Sequence, residues 1–99
     1  MGKPIAHIGS ETSGHSPCSP PSTLVETANK TVLVSKKLVV TVGGLAAVHG
    51  CKDDPPHQDI VTGGSKRVLI MKKGVARSGD ELNRGSTILS GNKRVLVGA

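Results

Sequence analysis

The hydrophobic residues of this chain fall into short runs rather than into long periodic faces. Each run has three or four residues, is rich in valine, and is bounded by glycine, Lys-Lys or Asn-Lys; the runs are Val32–Val34, Val39–Val42, Val68–Ile70 and Val95–Val97. Such runs between turn-forming residues are typical of β-strands joined in hairpins. No segment keeps the 3.6-residue spacing of an amphipathic helix. The pattern therefore predicts an all-β fold.

One hairpin pattern recurs along the chain. Residues 31–44 match residues 67–80 when 36 is added to each position, and the apolar, Lys-Lys and Gly positions coincide. A copy of the leading half appears again at residues 90–97, which match residues 63–70 at a distance of 27. Self-similarity at fixed offsets indicates a repeat architecture. This third copy stops at the end of the chain, before its own trailing half.

The missing trailing half lies at the other terminus, where residues 3–10 match residues 73–80. The C-terminal strand then finds its partner only if the chain closes into a ring, which also removes exposed strand edges. We predict a small cone of three β-hairpin repeats with pseudo-threefold symmetry, in which the N- and C-terminal strands pair. The chain forms one domain, 1–99, with half-repeats 3–10 and 86–98 and full repeats 24–44 and 60–80.

The composition limits how such a domain can be stabilised and what it can bind. The chain has 99 residues and no Phe, Tyr or Trp, so valine, isoleucine and leucine must form a thin core. A domain of this size usually needs an additional cross-link, such as a disulfide or a bound metal ion, to be stable. The lack of aromatic residues also excludes nucleic-acid binding by base stacking, as in RNA-recognition and OB-fold domains.

The net charge of +6 raises the alternative of a small basic zinc module that binds nucleic acid. Lysine and arginine are spread over all repeats, however, and no recognition helix is predicted, so we favour no nucleic-acid partner. No apolar run approaches the roughly 20 residues of a membrane span. Because the N-terminus does not resemble a signal peptide, we expect synthesis in the cytoplasm.

Two histidines stand at equivalent places in the repeats. His15 follows Ser10 by five residues, and His49 follows Gly44 by the same distance. Cys51 lies two residues after His49, and His57 follows six residues later. Three imidazoles and one thiolate form a closed tetrahedral set of the kind that structural zinc sites use. We therefore predict one structural zinc ion held by the side chains of His15, His49, Cys51 and His57.

The two cysteines leave alternatives open. Cys18 lies three residues after His15 and competes with Cys51 as the thiolate ligand. A disulfide between Cys18 and Cys51 is a further possibility, although nothing indicates secretion into an oxidising compartment.

The trailing half-repeats carry a resemblance to a known family. They read Pro4-Ile5-Ala6-His7, Leu38-Val39-Val40-Thr41 and Gly74-Val75-Ala76-Arg77, followed two residues on by Gly9-Ser10, Gly43-Gly44 and Gly79-Asp80. With the leading run Gly64–Ile70, they resemble the proline-alanine-alanine-arginine (PAAR) repeat family, the copy at 74–80 most of all. The second copy lacks the motif's Pro, Ala-Arg and Gly-Asp. In the first, His7 replaces Arg and Ser10 replaces Asp, and we expect His7 to be a structural residue.

The resemblance implies a cone that caps the trimeric β-helical spike of a contractile injection machine, either a phage tail or a type VI secretion apparatus. Members of this family are held at the tip by three histidines and one cysteine. The implied partners are one spike trimer per tip monomer and, transiently, the target membrane, with no small-molecule substrate. Nothing in the chain resembles a catalytic constellation. We therefore expect a non-enzymatic spike tip that helps to pierce the membrane.

Overall fold

A computed structural model describes residues 2–15 and 20–98 of the chain, which measures 38 × 26 × 22 Å. It is all-β, as predicted, and the described residues form no α-helix. A 3₁₀ turn covers Asn83–Gly85. The strands are β1 (Lys3–Ile5), β2 (Leu24–Glu26), β3 (Leu33–Val34), β4 (Lys37–Leu38), β5 (Leu45–Ala46), β6 (His49–Cys51), β7 (Asp54–His57), β8 (Leu69–Ile70), β9 (Lys73–Gly74) and β10 (Asn92–Val97).

The N-terminal and C-terminal strands pair, which confirms the predicted closure of the chain. Strand β1 runs antiparallel to β10, with Lys3 opposite Val97. Two continuous hairpins, β3–β4 and β8–β9, have the same register, with Lys37 opposite Val34 and Lys73 opposite Ile70. The sequence offsets of 36, 27 and 70 therefore correspond to equivalent pairings in all three strand pairs.

The three hairpins meet in a closed cycle of backbone hydrogen bonds. The amide of Ala6 donates to Ala76, the amide of Ala76 to Val40, and the amide of Val40 to Ala6, at 2.9–3.1 Å. A second cycle joins Ile8 to Leu38, Val42 to Gly74 and Ser78 to Pro4. Each member of a cycle comes from a different hairpin, a pattern consistent with three repeats around one axis.

Each trailing half-repeat ends in the same glycine turn. Gly9, Gly43 and Gly79 have φ values of 98°, 96° and 92°, a left-handed region that side chains with a Cβ rarely adopt. Each of these glycines donates its amide to the carbonyl of a buried aliphatic residue of the next segment, which is Leu24, Val61 or Ile88. The turn sends the chain from the hairpin into the loop that follows.

The core consists of two clusters, both built from repeat-equivalent side chains. One lies among the hairpins and contains Ile5, Val34, Val39, Val75 and Val97. The other lies under the loops and contains Ala6, Leu24, Val40, Ala46, Val61, Ala76, Leu82 and Ile88. Since strand side chains alternate in direction, Ala6 and its equivalents point to one cluster and Ile5 and its equivalents to the other.

Arg77 and Asp80 form an ion pair in the third copy. Two guanidinium nitrogens and the backbone amide of Arg77 donate to the Asp80 carboxylate at 2.8–2.9 Å. These hydrogen bonds raise the pKa of Arg77, against the opposing effect of desolvation. Because the pKa is raised, the stabilisation that the charged guanidinium contributes is present throughout the neutral range and is lost as the pH rises through the pKa of Arg77. In the first copy, Ser10 takes the place of Asp80 and accepts the amide of His7.

Candidate metal centre

Two histidines lie opposite each other in the β6–β7 hairpin. His49 begins β6, His57 ends β7, and the two are cross-strand partners. Their Nε2 atoms are 3.0 Å apart. The antiparallel pairing therefore joins two residues that are separated by eight positions along the chain.

His15 arrives from the first half-repeat. The segment before it is fixed to the third repeat, since the amide of Ser13 donates to Thr87 and the amide of Gly14 to Ser86. This attachment places His15 Nε2 at 3.1 Å from His49 Nε2 and at 3.0 Å from His57 Nε2. The structure thus brings together the three histidines that the sequence singles out.

Asp59 completes the group, and the sequence analysis does not include it. Its Oδ2 lies 2.9 Å from Nε2 of both His15 and His49, and its Oδ1 lies 3.1 Å from His57 Nε2. The backbone carbonyl of Asp59 accepts the amide of Ala46, which fixes the residue beside the hairpin. Asp59 follows His57 by two positions, a spacing that places two side chains on one side of an extended chain and that could have pointed to it.

The hydrogen bonds of the imidazole rings determine which ring nitrogens carry protons. Nδ1 of His49 lies 2.8 Å from the carbonyl of Pro20, and Nδ1 of His57 lies 2.7 Å from the carbonyl of Pro55. A carbonyl only accepts, so both Nδ1 atoms must donate, and we assign the proton of each neutral ring to Nδ1. The Nε2 lone pairs of His49 and His57 then face each other, which is unfavourable unless a cation lies between them.

The carboxylate of Asp59 also indicates that a cation binds between these side chains. Its Oδ1 is buried and accepts no hydrogen bond from the described residues, although His57 Nε2 is close. A buried carboxylate oxygen without a partner is costly. A metal ion coordinated by the three Nε2 atoms and this carboxylate would satisfy every one of these groups.

The distances among the four donors suit a small divalent ion. The three Nε2 atoms lie 3.0–3.1 Å from one another, and the two Asp59 oxygens lie 2.9–3.1 Å from them, Oδ2 from His15 and His49 and Oδ1 from His57. A point equidistant from the three Nε2 atoms and displaced toward Asp59 can lie at the roughly 2.0–2.1 Å of Zn–N bonds from each nitrogen. His15, His49, His57 and Asp59 are therefore the residues that would hold a metal ion.

A second carboxylate and an arginine lie behind these donors. Asp54 is buried, and its carboxylate oxygens are 3.8 Å from Nδ1 of both His15 and His57. The guanidinium of Arg84 lies 3.8 Å from Asp54 and 4.0 Å from Asp59. Carboxylates behind metal-binding imidazoles orient the rings and increase their basicity.

The remaining sequence candidates lie elsewhere. Cys51 is not in the donor group and is disulfide-bonded. The register shifts within this hairpin, because His49 faces His57 and Cys51 faces Asp54, so that three residue steps on β7 oppose two on β6. Cys18 lies outside the described residues. His7 is also separate from the group, and its Nδ1 lies 2.8 Å from the carbonyl of Ile8.

The fold and this cluster together define a small ring of β-hairpins with a closed imidazole–carboxylate centre among its loops. The family model of the PAAR motif matches residues 13–90, and the chain belongs to this family. It is a structural family that forms the spike tips of contractile injection systems, in phages or bacterial secretion systems, where its members associate with a spike protein. No curated protein sequence matches the chain. Among the described residues, no helix has the length and apolarity to cross a membrane.

Proposed function

We propose that this protein caps the trimeric β-helical spike as a single monomer and gives it a rigid, sharp end that helps to pierce the target membrane. The observation that supports this role is the closed cycle of hydrogen bonds through Ala6, Val40 and Ala76. One chain with three near-equivalent hairpins can present similar surfaces to three identical spike chains, whereas an asymmetric domain would match only one of them.

We further propose that the tip is stabilised by one zinc ion bound to His15, His49, His57 and Asp59. This ligand set keeps the three predicted histidines and replaces Cys51 with a carboxylate. When bound, zinc would supply positive charge to a buried group of lone pairs and cross-link the first repeat to the β6–β7 hairpin. Structural zinc sites can contribute on the order of 10–16 kcal/mol of apparent folding free energy.

A centre with four protein donors supports a structural role. Catalytic zinc sites generally have three protein ligands and keep a fourth position for water or substrate. Here the four donors face one another at hydrogen-bonding distance, and the group is largely enclosed by protein. Hydrolysis is therefore not the function we propose.

The test is elemental analysis of the purified protein combined with binding to a spike trimer. We expect about one zinc per chain, lost in His49→Ala and retained in the control His7→Ala. We also expect a complex with one tip per spike trimer by native mass spectrometry. Absence of zinc would contradict the metal assignment, and three tips per trimer would contradict the capping model.

A further inference from the structure

One of the three strand pairs of the ring has no turn. In β3–β4 and β8–β9, two residues connect the strands, Ser35-Lys36 and Met71-Lys72, and all four have a positive φ of 47–68°. Such two-residue turns match the twist of the strands that they join. Strands β1 and β10 pair in the same register but come from opposite ends of the sequence. No turn therefore holds this third pair together.

A strand pair without a turn is held less firmly than a continuous hairpin. Closing a long loop costs more conformational entropy than closing a two-residue turn. Noncovalent contacts alone keep such strands side by side, and local opening of the pair strains no connecting segment. The β1–β10 pair therefore needs contacts that the two continuous hairpins do not need.

Each trailing half-repeat contacts the next strand pair around the ring through the same position of the repeat. The three equivalent bridges join His7 to Val39, Thr41 to Val75, and Arg77 to Ile5. The first two lie at the continuous hairpins β3–β4 and β8–β9, and the third lies at the open pair β1–β10. Arg77 is therefore the member of the set that faces the strands without a turn.

The backbone beside this position makes the same hydrogen bond in all three copies. The amides of Ile8, Val42 and Ser78 donate to the carbonyls of Leu38, Gly74 and Pro4, which lie on β4, β9 and β1. In the third copy, the side chain of Arg77 adds a bond to the other strand. Its Nη1 donates to the carbonyl of Gly98, directly after β10, at 2.8 Å. Residues 77 and 78 together therefore bind both strands of the open pair.

Asp80 holds the guanidinium in the orientation that this bond requires. Its Oδ2 accepts from Nε of Arg77 and its Oδ1 from Nη2, both at 2.9 Å. This two-point contact fixes the plane of the guanidinium and leaves Nη1 to donate to Gly98. The Arg77 side chain is only 12% exposed, so little water competes for these bonds. In the first copy, Nδ1 of His7 instead lies 2.8 Å from the carbonyl of its neighbour Ile8.

We infer that Arg77 keeps the ring closed, because its guanidinium holds the strand pair that no turn connects, and that Asp80 is the residue that positions it. A charged donor forms a stronger hydrogen bond to a carbonyl than a neutral one does, so one side chain can supply part of what a turn supplies elsewhere. The inference goes beyond the proposed function, since it concerns how the ring is closed and not what the ring binds. It depends neither on the metal nor on the spike.

The test is hydrogen exchange of the backbone amides of β1 and β10, measured by NMR in the linear chain and in a chain whose ends are joined by backbone cyclisation. Arg77→Met removes the guanidinium and keeps a long side chain. We expect this variant to speed exchange at least about thirtyfold in the linear chain and less than about threefold in the cyclised chain, where a covalent link joins β10 to β1. The matched control His7→Met, at the equivalent position beside a continuous hairpin, should stay within about threefold in both chains.

A second change isolates the bond to Gly98. An ester in place of the peptide bond that follows Gly98 weakens this carbonyl as an acceptor and changes no side chain. We expect exchange in β1 and β10 to rise at least about fivefold, and the ester to have no further effect when Arg77→Met is also present. The ester also provides the test if Arg77→Met does not fold.

Several results would overturn the inference. Equal acceleration by Arg77→Met in the linear and cyclised chains would mean that the guanidinium acts through the turn at Asp80 alone. Unchanged exchange in the linear Arg77→Met chain, or in the ester, would mean that the bond to Gly98 does not hold the strands. Equal opening of β1 and β10 by His7→Met would show that any change at this repeat position loosens the ring.

Discussion

The two ends of this small domain are stabilised in different ways. The hairpin end, which we define as residues 2–6, 29–39, 65–75 and 92–98, repeats one pairing register three times. The loop end, by which we mean the segments that carry His15, His49, His57 and Asp59, has one centre in which each side chain has its own role. A repeated structure spreads its stability over many weak contacts, whereas a single centre depends on every member. We therefore expect substitutions at the loop end to cost far more than those at the hairpin end.

The largest effect should follow removal of the metal or of one imidazole. We expect a strong chelator or His49→Ala to lower the free energy of unfolding by at least about 3 kcal/mol, or roughly 15 °C in Tm. The reason is that buried lone pairs and the Asp59 carboxylate lose their shared cation. Thermal unfolding followed by circular dichroism measures the change, with His7→Ala as the matched control. An unchanged Tm after complete metal removal would contradict the central role of this site.

A smaller loss of stability should follow substitution of Asp80 or Ser10, which stand in equivalent glycine turns. Asp80 accepts three hydrogen bonds from Arg77, whereas Ser10 in the equivalent turn accepts one from His7. We expect Asp80→Ala to cost about 2–3 kcal/mol and Ser10→Ala about 1 kcal/mol, because charge-assisted hydrogen bonds are the stronger ones. Urea denaturation of both variants measures the difference. Equal losses would show that the turn backbone, rather than the ion pair, stabilises this position.

Substitution in a hairpin turn should stabilise the protein. Lys36 has a φ of 68°, which costs about 1 kcal/mol for a residue with a Cβ. Lys36→Gly should therefore raise the free energy of unfolding by up to about 1 kcal/mol. Lys37 is not among the positive-φ residues, so Lys37→Gly is the matched control and should destabilise instead. A loss of stability in Lys36→Gly would mean that the lysine side chain contributes more than its backbone strain costs.

The smallest effect should come from charge reversal at the hairpin end. Because that end has no acidic residue, Lys37→Glu relieves repulsion among like charges and should raise Tm slightly at low salt. The gain should disappear at high salt. A fall in Tm at low salt would indicate that repulsion among these lysines is negligible.

The repeat offsets in the sequence were enough to predict the closure of the ring. Matching Lys3 to Lys73 implies that both face equivalent residues, and the structure places them opposite Val97 and Ile70. Register follows from sequence here because strand pairing is periodic and each copy repeats the same apolar and turn positions. The glycines of the turns were visible for the same reason, since Gly43 and Gly79 coincide at the offset of 36.

The donor group was only partly predictable. Equal distances from Ser10 and Gly44 identified His15 and His49, because these distances belong to the repeat. Asp59 belongs to no repeat position used in that argument, and Cys51 is engaged in a disulfide instead of the donor group.

By itself, the sequence determined the all-β class and the pairing of the two chain ends, and it singled out the three histidines, since all of these depend on local propensity and fixed spacing. The tertiary structure decided which carboxylate joins the imidazoles and which carbonyl the Arg77 guanidinium binds. These depend on contacts between segments far apart in the chain, where a bulge or one turn changes the direction of a side chain. Such contacts follow from the packing of the whole domain and not from any local pattern.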